Sequence, residues 1–236
     1  MDNILIKSLH QLDIETDSIQ TQQLKDFYSI LIEWNKFMNL TGITSYEEVV
    51  KKHFLDSLAI VKVQDISEIN KIIDIGTGAG FPGIPLKIIY PHLDITLLDS
   101  LKKRIKFLDA VVNELKLKNV NLIHGRAEDY ARQKIYREKY ELCVSRAVAN
   151  LSTLSEYCLP YIKIDGVFIP YKSGDIENEI AKSKKAVKLL GGKIKSVTKF
   201  QLPGTDINRS FVLIKKIETT NKIYPRKAGI PTKEPL

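Results

Sequence analysis

The chain is poor in cysteine: Cys143 and Cys158 are its only two in 236 residues, and they form no CxxC pair. That spacing excludes a disulfide scaffold, argues against a zinc site, and makes a reducing cytoplasm the expected compartment. No apolar run approaches the roughly 18 residues that a membrane span needs. The opening segment MDNILIKSLHQLDIETD lacks the basic start and apolar core of a secretion signal. There is no internal repeat and no low-complexity tract. His10, His53, His92 and His124 are scattered, so no pair of histidines suggests a metal site or a base, and each is expected to be structural.

What is present is a globular composition, 44% apolar and 27% charged, with a net charge of +8. The charge is unevenly placed. Residues 1–70 hold 6 Lys against 11 acids, whereas residues 182–236 hold 14 Lys and Arg against 3 acids. A basic half joined to an acidic half suits a polyanion docking on one side. Charge alone is equally compatible with a solvated basic surface.

Periodicity divides the chain. In residues 1–70, Ile19, Leu24, Phe27, Ile30, Leu31 and Trp34 recur at helical steps and predict one buried helix face. Ser45-Tyr-Glu-Glu48 has capping-box spacing and predicts a helix running through Val49, Val50 and Phe54. From Lys71 the pattern becomes short apolar runs, IIDI (72–75), ITLLD (95–99), VNLIH (120–124), ELCVS (141–145) and GVFIPY (166–171). Helical segments at 101–117 and 176–190 lie among them, which predicts βαβ units and a parallel sheet. KIKSVTKF (193–200) and SFVLIKKI (210–217) alternate apolar and polar residues around PGTD, so one sheet edge should be an antiparallel hairpin. The divisions expected are an N-terminal helical extension (1–70), an α/β domain (71–220) and a basic, Pro-containing tail (221–236).

The chemistry centres on Lys71 to Gly83, KIIDIGTGAGFPG. Glycines there permit positive φ and close backbone approach to a ligand, and a glycine loop at the C-terminal edge of a parallel sheet is a usual cofactor crevice. Two cofactor classes compete. Gly78-x-Gly80-x-x-Gly83 satisfies the nicotinamide GxGxxG, with Asp99 placed as its ribose acid. Against that, the first glycine is Gly76, Pro82 and Pro85 interrupt the start of the helix, and the basic hairpin is no second mononucleotide-binding half. S-adenosylmethionine fits more residues. Asp74 before Gly76, Gly78 and Gly80 suits a sulfonium with an amino-acid tail, Asp99 a ribose, and Ala127-Glu128-Asp129 an adenine.

After the fourth strand the chain reads Ser145-Arg146-Ala147-Val148. It has no Asn/Asp-Pro-Pro-Tyr/Phe tetrad for amine methylation. It has no Pro-Cys nucleophile for carbon methylation, and Cys143 lies inside an apolar strand. An acceptor that is already nucleophilic, such as guanine N7, removes the need for a base, so proximity and alignment carry in-line transfer. Arg146 would then address the guanine edge or a phosphate, or position the cofactor. Lys102, Lys103, Arg104 and Lys106 crowd a helix start against its dipole and are candidates for RNA phosphate contact. The tail YPRKAGIPTKEPL should be extended or partly disordered when free, with Arg226, Lys227 and Lys233 available to clamp RNA.

These residues together resemble the glucose-inhibited division protein B family of bacterial methyltransferases. The resemblance runs from residue 34 to the C-terminus. It is carried by WNKFMNLTGI (34–43), HFLDSL (53–58), DIGTGAGFPGIPLKI (74–88), LLDSLKKRIKFL (97–108), RAEDY (126–130), SRAVANL (145–151), RSFVLIKK (209–216) and PRKAGIPTKEPL (225–236). It implies a Rossmann-like class I α/β fold with a seven-stranded, mostly parallel sheet, an antiparallel edge and an N-terminal helical extension. It implies methylation of guanine N7 in the 530 loop of 16S rRNA, guanine 527 in the usual rRNA numbering. The implied partner is that RNA or the small ribosomal subunit particle, with no metal and no membrane. It places S-adenosylmethionine against Gly76, Phe81, Ala127, Glu128 and Arg146, with Asp99 and Ser100 at the ribose. Asn39, His53, Asp56, Lys172 and Arg209 also fall in family motifs; Lys172, after the fifth strand, is a candidate for RNA contact, as is Arg209.

Overall fold

The computed structural model describes residues 2–146, 149–174 and 176–236. Helices α1 (Asp2–His10) and α2 (Ser18–Met38) open the chain. A capping box starts α2: the Asp17 carboxylate accepts from the Gln20 N–H, and the Gln20 side chain accepts from the Asp17 N–H. Leu24, Phe27, Ile30 and Leu31 are buried along one stripe and Trp34 is half-buried, as the spacing predicts. Ile19 departs from that expectation and is 68% exposed. It lies at the edge of the stripe, about 20° round the axis from Ile30, in the first turn of the helix. Asn39 ends α2 in the left-handed region at φ 50°.

Ser45 caps α3 (Tyr46–Val49) by accepting from the Glu48 N–H. The helix then continues through a π-helical turn at Val50–Leu55, the short α4 (Asp56–Leu58) and a 3₁₀ turn at Ala59–Lys62. A π-turn adds a residue to the helix and rotates the next turn about the axis, a device common near functional sites.

The sheet has seven strands: β1 (Lys71–Ile75), β2 (Asp94–Asp99), β3 (Val120–His124), β4 (Tyr140–Arg146), β5 (Ile162–Ser173), β6 (Gly192–Gln201) and β7 (Asn208–Lys216). β1 to β5 each overlap an apolar run read from the sequence, and β6 and β7 overlap the two alternating segments. Their order is β3-β2-β1-β4-β5-β7-β6. The pairs among β1 to β5 are parallel, and β7 lies antiparallel between β5 and β6. A nicotinamide-binding sheet runs 3-2-1-4-5-6 with a parallel second half. The antiparallel β7 at that place removes the dehydrogenase alternative.

One face of the sheet is covered by α5 (Gly83–Ile89), α6 (Lys102–Glu114) and the N-terminal helices, which share a core. Phe27, Phe54 and Phe81 meet there with ring centroids 5.2 to 6.2 Å apart. Burying each such ring contributes roughly 1.5–3 kcal/mol, so the helices are fastened to the cofactor loop by packing. The other face carries α7 (Ala127–Tyr130), α8 (Leu151–Cys158) and α9 (Glu177–Leu189) over a second core. Cys143 and Cys158 are buried in it as free thiols. The tail is not extended as its composition predicts: residues 230–233 form α10 (Ile230–Lys233), and Pro231 O accepts from Thr153 Oγ1 of α8 at 2.9 Å. Side chains of α8 supply the partners that composition does not reveal.

Candidate active site

The glycine loop leaves β1 at the C-terminal edge of the sheet. Gly76 N and Thr77 N donate to Leu98 O, so the loop folds back over the end of β2. Gly78 has φ +62°, and a Cβ added there would meet nothing nearer than 4.0 Å, leaving its backbone open to a ligand. Gly83 is glycine for a different reason: a Cβ would fall 2.3 Å from Leu97 Cδ2, so α5 packs on β2 only without one.

Asp74 does not face the open cavity, contrary to expectation. It is fully buried, and its Oδ2 accepts from Thr77 Oγ1 at 2.8 Å and Gly83 N at 2.9 Å, clamping both ends of the loop. Burial pushes this carboxyl up to about 7, against the pull of those two hydrogen bonds, and leaves its Oδ1 without a hydrogen-bond partner. Gly80, whose added Cβ would fall 2.6 Å from Ile84 Cγ1, packs against that residue and does not line the central cavity.

Above the loop lie three adjoining cavities. The central one, about 380 Å³, is walled by Gly76, Gly78, Phe81, Asp99, Ser100 and Arg146, all expected, and by Leu40, Thr41, His53 and Arg104. Asp99 is buried; its Oδ2 accepts from Gly78 N at 2.9 Å and Arg104 at 3.1 Å, and its Oδ1 from Leu101 N. A second cavity, about 240 Å³, shares Gly76 and Ser100 with the first and is lined by Ala127, Glu128, Tyr157 and Thr232. The third, about 550 Å³, shares His53 and Arg146 with the first and adds Lys52, Asp56, Lys172, Glu179 and Arg209.

The wall between the first and third cavities is the densest polar cluster of the site. Asp56 is buried and accepts from Arg146 at 3.0 Å and from Arg209 Nε at 2.6 Å, so one carboxylate holds two guanidiniums. His53 stacks on Phe81 with centroids 4.5 Å apart, and the Arg146 guanidinium lies 5.0 Å from the same ring. Burial and then the Arg146 charge hold the His53 imidazole down at about 4, so it is neutral near pH 7. A guanidinium can only donate; Nδ1 of His53, 3.3 Å from Arg146, therefore accepts, and Nε2–H donates to Thr41 Oγ1 at 2.8 Å. Sequence reading gives His53 and Asp56 no role and misses Thr41. The His53-x-x-Asp56 spacing beside buried Phe54 and Leu55 is a signal that two polar groups face inward from one helix.

The cationic candidates divide by their partners. Lys172 donates to Ala149 O and Glu179, and with Arg209 it lines the third cavity. Arg104 is committed to Asp99, and Lys103 donates to Met38 O at the end of α2. That tie accounts for one of the charges set against the helix dipole. Arg226 binds Glu156 rather than standing free, whereas Lys102, Lys227 and Lys233 are exposed. Ala147 and Val148 lie outside the described residues. Among the described residues no three His, Cys, Asp or Glu side chains gather as a metal would need, and no helix is long and apolar enough to cross a membrane.

The family model described as rRNA small subunit methyltransferase G matches residues 20–211. The chain belongs to that family. It is 52% identical over 231 residues to the ribosomal RNA small subunit methyltransferase G of Lachnoclostridium phytofermentans, covering 98% of this chain and 96% of that one. The Clostridium botulinum (strain Loch Maree) protein of the same name is 48% identical over 234 residues, covering 99% and 98%. Among solved structures, M. jannaschii TYW2 in complex with AdoMet superposes with a TM-score of 0.56 at 15% identity, covering 75% of this chain and 80% of that one. Methanococcus jannaschii fibrillarin, a pre-rRNA processing protein, gives 0.52 at 18%, covering 68% and 74%. Identities this low speak for the fold alone. A methyltransferase G family member needs a methyl donor, and the residues present fit S-adenosylmethionine. Gly78 leaves backbone open, Asp99 offers buried carboxylate oxygens at the strand end, and Phe81 supplies an apolar wall.

Proposed function

We propose that the protein transfers the methyl group of S-adenosylmethionine to N7 of a guanine in the 530 loop of bacterial 16S rRNA, guanine 527 in the usual numbering. The observation that carries this reading is the shared wall: Arg146 and His53 border both the cofactor cavity and the basic cavity beyond it. When bound, S-adenosylmethionine supplies an electrophilic methyl group on a positively charged sulfur. Asp99 and Ser100 would hold the ribose of that donor, and Phe81 would give it an apolar wall. Lys52, Lys172 and Arg209 give the outer cavity a surplus of positive charge over Asp56 and Glu179, which suits an RNA phosphate. Arg146, held by Asp56, donates to O6 of the guanine, which leaves the N7 lone pair free to attack in line.

No residue of the wall serves as a base, and N7 needs none. Both nitrogens of His53 are engaged, and both cysteines are buried in the core away from the cavities. Rate enhancement then comes from alignment and exclusion of water.

The test is incubation with radiolabelled S-adenosylmethionine and either naked 16S rRNA or assembled small-subunit particles, with aniline cleavage at 7-methylguanine to locate the label. Label at the 530-loop guanine is expected. Label on another atom or base, or none on either substrate, overturns the reading.

A further inference from the structure

The cavity next to α7 has a wall that the glycine loop and strands do not provide. Thr232 of α10 and Tyr157 of α8 line it together, and their hydroxyls lie 2.7 Å apart. Gly229, at φ +87°, donates its N–H to Glu128 Oε1 at 2.9 Å, so the tail is pinned to a residue of the same cavity. Arg226 fixes the segment from its other side. Its backbone N–H and its guanidinium both donate to the buried Glu156 carboxylate, at 2.7 to 3.2 Å, and its NH2 also donates to Glu234 O. One side chain therefore closes residues 226–234 into a loop. Two buried carboxylates, Glu128 and Glu156, are spent on holding a chain end rich in proline and lysine over an opening.

We propose that residues 225–236 form the outer wall of the subsite for the cofactor's nucleobase, and that Arg226, acting through Glu156, is a positioning residue for S-adenosylmethionine rather than an RNA clamp. The inference rests on the reading that S-adenosylmethionine occupies these cavities. The Thr232 and Tyr157 hydroxyls offer the ring edge one donor and one acceptor, whichever way their shared proton points. The segment works only when docked, because Thr232 reaches the cavity through α10, and α10 is held by Thr153 on Pro231 and by Arg226. Cofactor binding and tail docking are thereby linked, each favouring the other.

The full-length protein tests this by calorimetry with S-adenosylmethionine. Thr232 is exposed, so its substitution leaves the fold intact. Thr232→Trp, which fills the cavity, is expected to raise Kd about tenfold or more, and Thr232→Ala about threefold. Arg226→Gln is expected to raise the KM for S-adenosylmethionine severalfold with kcat and the KM for RNA unchanged, and Arg226→Lys to restore part of the loss. Hydrogen exchange in residues 225–236 is expected to slow when S-adenosylmethionine is added to the wild type. Thr232→Trp binding within twofold of wild type, with no added protection of the tail, overturns the proposal. So does an Arg226→Gln protein that loses RNA affinity and keeps its affinity for S-adenosylmethionine. A wild-type protein that binds no S-adenosylmethionine overturns the methyltransferase reading itself, which separates the two failures.

Discussion

The two ends of the composite cavity both rest on buried carboxylates, yet they use them in opposite ways. At the outer, basic end, Asp56 takes two guanidiniums, from β4 and β7, and the cluster keeps a positive surplus facing open space. At the α7 end, Glu128 accepts a backbone N–H and Glu156 takes one arginine, leaving hydroxyls at the wall. The same chemical group aims charge in one place and fixes a chain segment in the other. A site that must address a polyanion and a neutral ring needs both arrangements, and the glycine loop joins them.

Removing Asp56 should break this comparison hardest. Asp56→Ala leaves Arg146 and Arg209 facing each other without a counter-charge, which typically costs about 3 kcal/mol. Methyl transfer is expected to fall at least about a hundredfold while the Kd for S-adenosylmethionine changes by less than about threefold, read by paired transfer assays and calorimetry. Next in size is Asp99→Ala, which removes the acceptor proposed for the ribose hydroxyls and should weaken S-adenosylmethionine binding by about ten- to a hundredfold. An unchanged dissociation constant there would remove Asp99 from the cofactor wall.

A pH titration sharpens the contrast at smaller scale. The His53 imidazole sits near 6.5 when unfolded and is depressed to about 4 in the fold. Below pH 6.5 the unfolded chain therefore binds a proton that the folded chain refuses. Stability is full above pH 6.5 and declines as pH falls toward 4, by up to roughly 3 kcal/mol. Thermal melts of His53→Gln should show a flatter acid limb than wild type, and an unchanged limb would sink the assignment. The smallest effect belongs to the exposed tail lysines. Lys227→Glu with Lys233→Glu should lower RNA affinity a few fold and reduce its salt slope by roughly 0.7 per lost phosphate contact.

The centre of the sheet was legible because β1, β2 and β4 are buried along almost their whole length and announce themselves as apolar runs bounded by glycine or charge. The hairpin edge was legible from its alternation. Glycines did signal the loop, but they do not say which oxygen of which residue faces the ligand. By its place in the chain Asp74 resembles a cofactor partner, and only the positions of Thr77 and Gly83 reveal that its Oδ2 is engaged within the loop while its Oδ1 has no partner. His53 and Asp56 were hidden because their meaning depends on Arg146, some 90 residues away, and on Arg209. Tail composition misled for a related reason: disorder is inferred from what a segment lacks within itself, whereas Arg226 and Pro231 find partners on α8.

The Asp56 cluster bears on how the molecule comes into being. Asp56 meets Arg209 across 153 residues, and Arg226 meets Glu156 across 70, so neither end of the cavity is complete until Arg209 and Arg226 have been synthesised. The N-terminal helices are made first, with an acid whose partners do not yet exist, and they must wait in water for β7. Such distant pairings make folding late and collective, with slow closure of long loops. A chain still lacking residues 207–236 has neither Arg209 to meet Asp56 nor Arg226 to meet Glu156, so neither end of the cavity can close before those residues are made.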